Sequence, residues 1–187
     1  MSFSSKTPIN SKKTVKAIQA APERVQNLRV QYWQQVKDIE PSNLVFWDET
    51  GINLALARLW ARSFRGTRAY SQQPFYSGGN ITLIGAITLR GFLGGMTFDG
   101  GTNSVAFRVF IEKVLVPQLW PGACVVMDNL PAHQVIGVRE MIESAGASLI
   151  YLSPYSPEFN PIEHYWSKLK QYLRSVAARS RDALEDA

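Results

Sequence analysis

Three acidic residues lie at points where a predicted buried segment ends or a predicted helix begins. Asp48 and Asp128 each follow a run of four apolar residues, and Glu163 lies where a proline- and serine-rich loop leads into a helix. Carboxylate oxygens are the ligands that Mg²⁺ prefers, and a pair of such ions can support in-line displacement at a phosphodiester. If the three side chains converge, they form a candidate metal site for phosphodiester chemistry.

The two aspartates also have local explanations. Asp48 precedes Glu49, and neighbours on a strand point to opposite faces, so at most one of them can face a site. Asp128-Asn129 is a common turn pair. Both aspartates, however, end predicted central strands, and adjacent strands lie about 4.8 Å apart. Two unneutralised carboxylates at that spacing would repel each other, and a divalent cation would remove the cost.

Glu163 has the strongest structural alternative. Asn160 is a good N-cap, Pro161 is a good first helical residue, and Glu163 falls at the third helical position, which is the spacing of a capping box. On the helical wheel Glu163 lies beside a predicted apolar stripe, formed by Ile162, Trp166, Leu169, Leu173 and Val176. It shares its own flank with Ser167, Lys170 and Arg174. An acid followed by bases suits a metal at the helix start and a DNA backbone running past the later turns.

The elements that must position these acids alternate between strands and helices. Apolar periodicity predicts a helical region at 12–39 that Pro22 divides, and later helices at about 102–116, 132–145 and 161–178. Strands are predicted at 44–49, 81–89, 92–98, 123–128 and 148–152. The Arg-, Trp- and Tyr-rich segment 53–79 is expected to lie outside the core, and Gly94-Gly95 suggests a bulge or a close approach. The order predicts a mixed α/β domain whose first three strands are antiparallel and whose later strands are joined by helical crossovers.

The charge distribution suggests a polyanionic partner. The net charge is +5, residues 1–40 carry seven Lys/Arg against three acids, and 54–79 carry four arginines and no acid. Basic segments around a few isolated acids favour phosphate contacts, with solvated surface charge as the alternative. No apolar stretch reaches the roughly 20 residues that a transmembrane helix needs. The single cysteine, Cys124, favours a reducing, cytoplasmic setting.

Other kinds of site find little support. The sequence lacks three motifs of other sites: the paired His/Cys spacing of a zinc site, the glycine loop that binds nucleotide phosphates, and the Gly-x-Ser-x-Gly elbow. His133 follows the Asp128 block and either lies at the surface as a capping residue, or contacts DNA phosphate or the metal's second shell.

Three blocks of the sequence resemble the signature blocks of DDE transposases of the mariner superfamily, in its bacterial insertion-sequence branch. The blocks are 45–51 around Asp48, 126–133 around Asp128, and 153–166 around Glu163, and 34 residues lie between the last two acids. The resemblance covers roughly 40–175. It implies a ribonuclease-H-like fold, with a mixed five-stranded sheet flanked by helices, and metal-dependent DNA cleavage and strand transfer.

The resemblance also assigns roles. Asp48, Asp128 and Glu163 would form the metal-binding triad, holding two Mg²⁺ ions, with Mn²⁺ as a substitute. The expected partners are DNA, as transposon ends and target, and a second copy of the chain on that DNA. The setting would be the cytoplasm of a bacterium, with the protein on the nucleoid and not at a membrane. Phosphate contacts are expected from Arg65, Arg68, His133, Lys168, Lys170 and Arg174.

The expected organisation is a basic helical linker at 1–40, a catalytic domain at 41–178 with the 53–79 excursion, and a tail at 179–187. Only about 40 residues precede the first predicted strand, too few for the family's helix-turn-helix domains. The chain is then the second product of a split reading frame, with a separate helix-turn-helix subunit or upstream frame product as a partner, or a decayed copy, or a cut piece of a longer protein. Two other functions are open: a catalytically silent DNA-binding or regulatory remnant, and a structure-selective nuclease of the same fold. The latter usually needs a fourth carboxylate, for which Glu49 and Glu158 are candidates.

Overall fold

The computed structural model describes residues 22–58, 60–70, 75, 78–129 and 137–187. The strands are β1 (Leu44–Asn53), β2 (Asn80–Thr88), β3 (Gly91–Asp99), β4 (Cys124–Met127) and β5 (Ser148–Tyr151). They form one sheet in the order β3-β2-β1-β4-β5. The first three strands pair antiparallel, and β1, β4 and β5 pair in parallel. The predicted mixed five-stranded sheet is confirmed.

Helices cover both faces of the sheet. They are α1 (Glu23–Val36), α2 (Ser104–Phe110), α3 (Val138–Ser144), α4 (Ile162–Val176) and α5 (Arg181–Glu185). Trp47 of β1 packs on one face against Phe107 and Phe110 of α2, in the largest apolar cluster. Side chains alternate along β1, so Phe46 lies on the other face, in a cluster with Tyr32 of α1. Asp48 has the same parity as Phe46 and therefore lies on the face that carries α1 and α4.

β1 extends further than its apolar run predicts. We expected it to end near Asp48, but it continues to Asn53 because β2 pairs with it over its whole length. β4, by contrast, pairs with β1 only as far as Phe46. Asp48 therefore lies within a strand, two residues beyond the end of the parallel pairing, and the prediction that it terminates β1 is wrong.

The middle helices differ from the prediction at their ends. Asn103 caps α2, accepting hydrogen bonds from the amides of Val105 and Ala106. The helix then widens into a π-helical segment, Ile111–Leu115, instead of continuing as α-helix. α3 begins at Val138, directly after Gly137 with its left-handed φ of 89°; the first part of the helix predicted at 132–145 falls on residues 130–136, which lie outside the described part of the chain.

The C-terminal residues fold onto the sheet. The segment 179–187, assigned to a tail, contains α5, whose buried Leu184 packs with Ile52 and Leu173. Arg181 forms ion pairs with Asp99 at 3.1 Å and with Glu185 at 2.8 Å. The apolar stripe of α4 is buried at Ile162, Trp166 and Leu173, but Val176 is exposed, contrary to its predicted place in that stripe. No helix in the described residues has the length and apolar character needed to span a membrane.

Close backbone approach replaces side-chain packing where α4 crosses the sheet. A Cβ atom added to Gly85 of β2 would lie 2.8 Å from the Phe92 ring and 2.9 Å from the Trp166 ring. Next to this crossing, the β2–β3 register shifts between Ala86 and Ile87, which confirms the irregularity predicted at Gly94-Gly95. Gly85 thus allows the indole of α4 to rest directly on the sheet.

The Gly85→Ala variant should be destabilised by about 2 kcal/mol, because the methyl group must displace two packed rings. For a domain of this size, the melting temperature should fall by about 4–8 °C. Calorimetry or circular dichroism would measure this shift. Gly51→Ala is the matched control, since a Cβ atom at that β1 glycine has no neighbour within 4 Å. Equal melting temperatures for the two variants would show that the Gly85 contact does not constrain α4.

Candidate functional site

The three predicted acids line one cleft. Asp48 comes from β1, Asp128 follows β4, and Glu163 lies in the first turn of α4. The cleft has a volume of about 440 Å³. Its remaining walls come from α1, from the residue after Asp128 and from the loop between β5 and α4, namely Arg24, Asn129, Leu152, Ser153, Pro154, Tyr155, Ser156, Pro157 and Asn160. The fold therefore brings together the acids that the sequence singled out.

Asp48 is the buried member of the set, with a relative exposure of 9%. Burial, helped by the negative charges of Glu163 and Asp128, raises its pKa to about 7, although the Glu49 amide opposes the shift by donating to Oδ1 at 2.7 Å. The mutual repulsion of three carboxylates shows that they share one electrostatic environment. A bound cation would offset this repulsion.

The capping-box explanation of Glu163 is wrong. The Asn160 amide, which a capping box would pair with the glutamate, donates to the Pro157 carbonyl at 3.0 Å. The Asn160 side chain turns away from α4 and donates through Nδ2 to Asp48 Oδ2 at 3.2 Å. Glu163 is exposed to the cleft and does not fasten the helix start.

The donor set fits a divalent cation. Three carboxylates border the cleft, and the Oδ1 atom of Asn160 is buried beside Asp48 without a hydrogen-bond partner in the described part of the chain. Oxygen-only ligands of this kind suit Mg²⁺ or Mn²⁺ rather than zinc. Among the described residues, no three His, Cys, Asp or Glu side chains are yet close enough together to coordinate one ion. The carboxylates must therefore move closer when a cation binds.

Neither candidate for a fourth carboxylate joins the triad. Glu158 forms an ion pair with Arg29 of α1 at 2.5 Å. Glu49 follows Asp48 on the strand, and the alternation of β1 places it on the opposite face, as predicted. The sequence missed Asn160 as a partner of Asp48, because its position before a helix indicated a cap. No local signal identifies a contact between residues 112 positions apart.

The predicted phosphate-binding residues lie outside this cleft. Arg65 and Arg68 are exposed on the segment 60–70, Lys168 is exposed on α4, and Lys170 is half-buried on that helix. Arg174 borders a second cleft of about 520 Å³ together with Arg58, Trp60, Ser167, Gln171 and Ser175. His133 lies outside the described residues. Arg179 is engaged within the protein, donating to the carbonyl groups of Leu54 and Leu56.

Known sequences resemble the chain over most of its length. It is 27% identical over 164 residues to the Tcb2 transposase of Caenorhabditis briggsae, with 78% of this chain and 58% of that protein covered. It is 26% identical over 150 residues to the Tc1 transposase of Caenorhabditis elegans, covering 74% of this chain and 55% of that one. The chain thus spans little more than half the length of these relatives.

Solved structures share its fold. A Mos1 transposase paired-end complex with the left transposon end superimposes with a TM-score of 0.68 at 16% identity, covering 97% of this chain and 57% of that one. The Mos1 mariner transposase catalytic domain alone gives a TM-score of 0.59 at 15% identity, covering 92% and 80%. The predicted ribonuclease-H-like fold is confirmed. The family model of the DDE superfamily endonuclease matches residues 43–185, a span that includes all three acids. The chain therefore belongs to the DDE superfamily of endonucleases.

Proposed function

We propose that this chain is the catalytic part of a mariner-type transposase that cleaves DNA strands and transfers them to a target. The observation that carries the proposal is the convergence of Asp48, Asp128 and Glu163 on one cleft from three separate elements. Similarity to the Tcb2 and Tc1 transposases supports it. The presence of all three acids favours an active enzyme over a silent remnant.

Asp48, Asp128 and Glu163 would hold the divalent ions, Mg²⁺ or Mn²⁺, two to a site. Bound there, such ions activate the attacking oxygen and stabilise the leaving oxygen of an in-line displacement. Two Mos1 mariner paired-end complexes contain Mn and Mg respectively, which supports this choice of metal. In this chain, Asn160 orients the Asp48 carboxylate, and the loop between β5 and α4 forms one wall of the cleft.

The basic residues would position the DNA. Lys170 and Arg174 share the flank of α4 on which Glu163 lies, about 10 and 16 Å further along the helix axis at 1.5 Å per residue. A phosphate backbone that enters the cleft at Glu163 can follow this flank, and Arg65 and Arg68 would add contacts from the segment 60–70. The assignment of His133 to DNA contact stays a prediction.

The proposed partners are DNA ends, target DNA and a second copy of this chain on that DNA. Mos1 complexes with a transposon end are structural neighbours, which supports DNA as the substrate. A bacterial insertion-sequence origin and a cytoplasmic, nucleoid-bound location belong to the same proposal.

Glu163→Gln should lower the rate of Mg²⁺-dependent DNA cleavage at least about a hundredfold, since removal of one charge-stabilising group costs about 3 kcal/mol in the transition state. The assay would follow nicking of end-containing DNA with Mg²⁺, Mn²⁺ or a chelator. Glu140→Gln is the matched control, because Glu140 is an exposed acid in the first turn of α3. Equal cleavage by wild type and Glu163→Gln would remove the third member of the triad.

A further inference from the structure

The loop between β5 and α4 is held in place by a helix that lies far away in sequence. In this loop, residues 153–160, Asn160 contacts Asp48 and Tyr155 borders the cleft. Tyr155 has a left-handed φ of 54°, a conformation that is strained for a residue other than glycine. Such strain persists only where surrounding contacts hold the backbone in place. The loop therefore depends on neighbours outside itself.

Arg29 of α1 supplies the most extensive of those contacts. Its Nη1 donates to Ser156 Oγ at 2.9 Å, and its Nη2 pairs with Glu158 Oε1 at 2.5 Å. The guanidinium also lies over the Phe159 ring, with Cζ 4.7 Å from the centroid. One side chain thus contacts three of the four residues that immediately precede Asn160. A planar guanidinium can make these contacts simultaneously, whereas a lysine ammonium cannot.

Two of the residues that Arg29 contacts, Ser156 and Phe159, make further contacts of their own. Ser156, which accepts from Arg29, also accepts from Ser153 Oγ at 2.8 Å and donates to the Pro154 carbonyl at 3.1 Å, and both serines are buried. Tyr32 lies about one turn further along α1 than Arg29. Its ring stacks on the Phe159 ring, which Arg29 also contacts, with 5.3 Å between the ring centroids. The short 3₁₀ turn Pro157–Phe159 places the next residue, Asn160, within hydrogen-bond distance of Asp48. An unbroken path of contacts links α1 to the buried carboxylate.

We infer that Arg29 is a positioning residue that sets the cation affinity of the Asp48 cleft by fixing the loop 153–160. The inference rests on the proposed function, because it takes the three acids as the cation ligands. Arg29 is not among the residues that border the cleft; it acts through Ser156, Glu158 and Phe159 on the position of Asn160. Outer partners that orient metal ligands change metal affinity by about 10–100-fold when they are removed.

Three variants test this role in the full chain. Arg29→Ala removes every contact, Arg29→Lys keeps the charge without the planar fork, and Glu158→Gln removes only the exposed ionic partner. Lys37→Ala is the control, because Lys37 directly follows the same helix. Among the ion pairs of the described residues, Lys37 takes part only in one with its neighbour Asp38, at 3.8 Å. Two measurements are made below the melting temperature: Mn²⁺ binding by calorimetry, and hydrogen exchange of the amides in 153–160.

Arg29→Ala should weaken Mn²⁺ binding about tenfold and speed exchange at Phe159 and Asn160, whose amides bond within the loop. Arg29→Lys should recover part of the affinity, Glu158→Gln should lose less than Arg29→Ala, and Lys37→Ala should match wild type. Unchanged Mn²⁺ binding in a folded Arg29→Ala protein would overturn the inference alone. Absence of Mn²⁺ binding in wild type, or binding that Asp128→Asn leaves intact, would overturn the proposed function and this inference with it. Should Arg29→Ala fail to fold, wild-type affinity and exchange in both Arg29→Lys and Glu158→Gln would overturn the inference.

Discussion

Asp128→Asn should abolish Mg²⁺-dependent nicking, with a loss of at least about a thousandfold, while DNA binding stays near the wild-type level. The amide keeps the shape of the carboxylate but not its charge. A catalytic cation contributes several kcal/mol of charge stabilisation in the transition state, and each 1.4 kcal/mol corresponds to a factor of about ten in rate. Nicking of supercoiled DNA and gel-shift binding, measured on the same preparations, would separate the two effects.

The matched control for this variant is Asp38→Asn, which removes one negative charge from an exposed side chain after α1. It should cleave at the wild-type rate and bind DNA equally well, since it lies outside the residues that border the cleft. Full cleavage by Asp128→Asn would remove Asp128 from the triad. A parallel loss of DNA binding would instead indicate that the residue organises the DNA surface.

The parts of the fold that local pattern determines were predictable. Apolar runs identified all five strands, and the two helical crossovers predicted the parallel half of the sheet. The extent of β1 was not predictable, because its residues beyond Asp48 are held by pairing with β2. At the end of this pairing the partners Asn53 and Asn80 lie 27 residues apart in sequence. The left-handed Gly137 that precedes α3 was not predictable either, because apolar periodicity does not reveal it.

The candidate site shows the same division between local and long-range information. The family blocks predicted the three acids, and the fold places all of them on one cleft. Asn160 has two chemically reasonable partners, its own helix and Asp48, and sequence spacing favours the nearer one. The structure selects the farther one, because burial beside Asp48 gives the amide a hydrogen bond to a carboxylate that water no longer solvates. Arg29 is invisible to local patterns, since its partners lie at 156–159.

The role of Asn160 follows from the chemistry of its two side-chain atoms. Nδ2 donates to Asp48 Oδ2, and the Glu49 amide donates to Oδ1, so each oxygen of the buried carboxylate accepts one hydrogen bond. Hydrogen bonds to a carboxylate favour its charged form, but here burial outweighs them and the pKa of Asp48 stays high. The cleft is thus arranged so that a cation, and not the protein alone, makes the ionised state favourable.

This arrangement gives a pH-dependent prediction for Asp48→Asn in the absence of divalent metal. The folded protein holds the Asp48 proton up to a pKa of about 7, whereas the unfolded chain releases it near 3.8. The stability that this raised pKa contributes is fully present below pH 3.8 and is lost as the pH rises through 7. The asparagine variant carries no such proton and escapes that loss. Relative to wild type, its free energy of unfolding should therefore rise by about 3 kcal/mol between pH 5 and pH 8.

Urea unfolding with a chelator, at several pH values across this range, would measure the difference. Gly51→Ala, which changes no titratable group and meets no neighbour within 4 Å, should show a flat difference from wild type. With saturating Mg²⁺ at pH 8 the relative gain of Asp48→Asn should shrink, since a ligand that binds the folded protein stabilises it, and the loss of one carboxylate weakens that binding in the variant. Parallel stability curves for Asp48→Asn and wild type in the chelator would mean that Asp48 ionises freely in the fold. Its burial beside Glu163 and Asp128 would then impose no electrostatic cost for a cation to relieve.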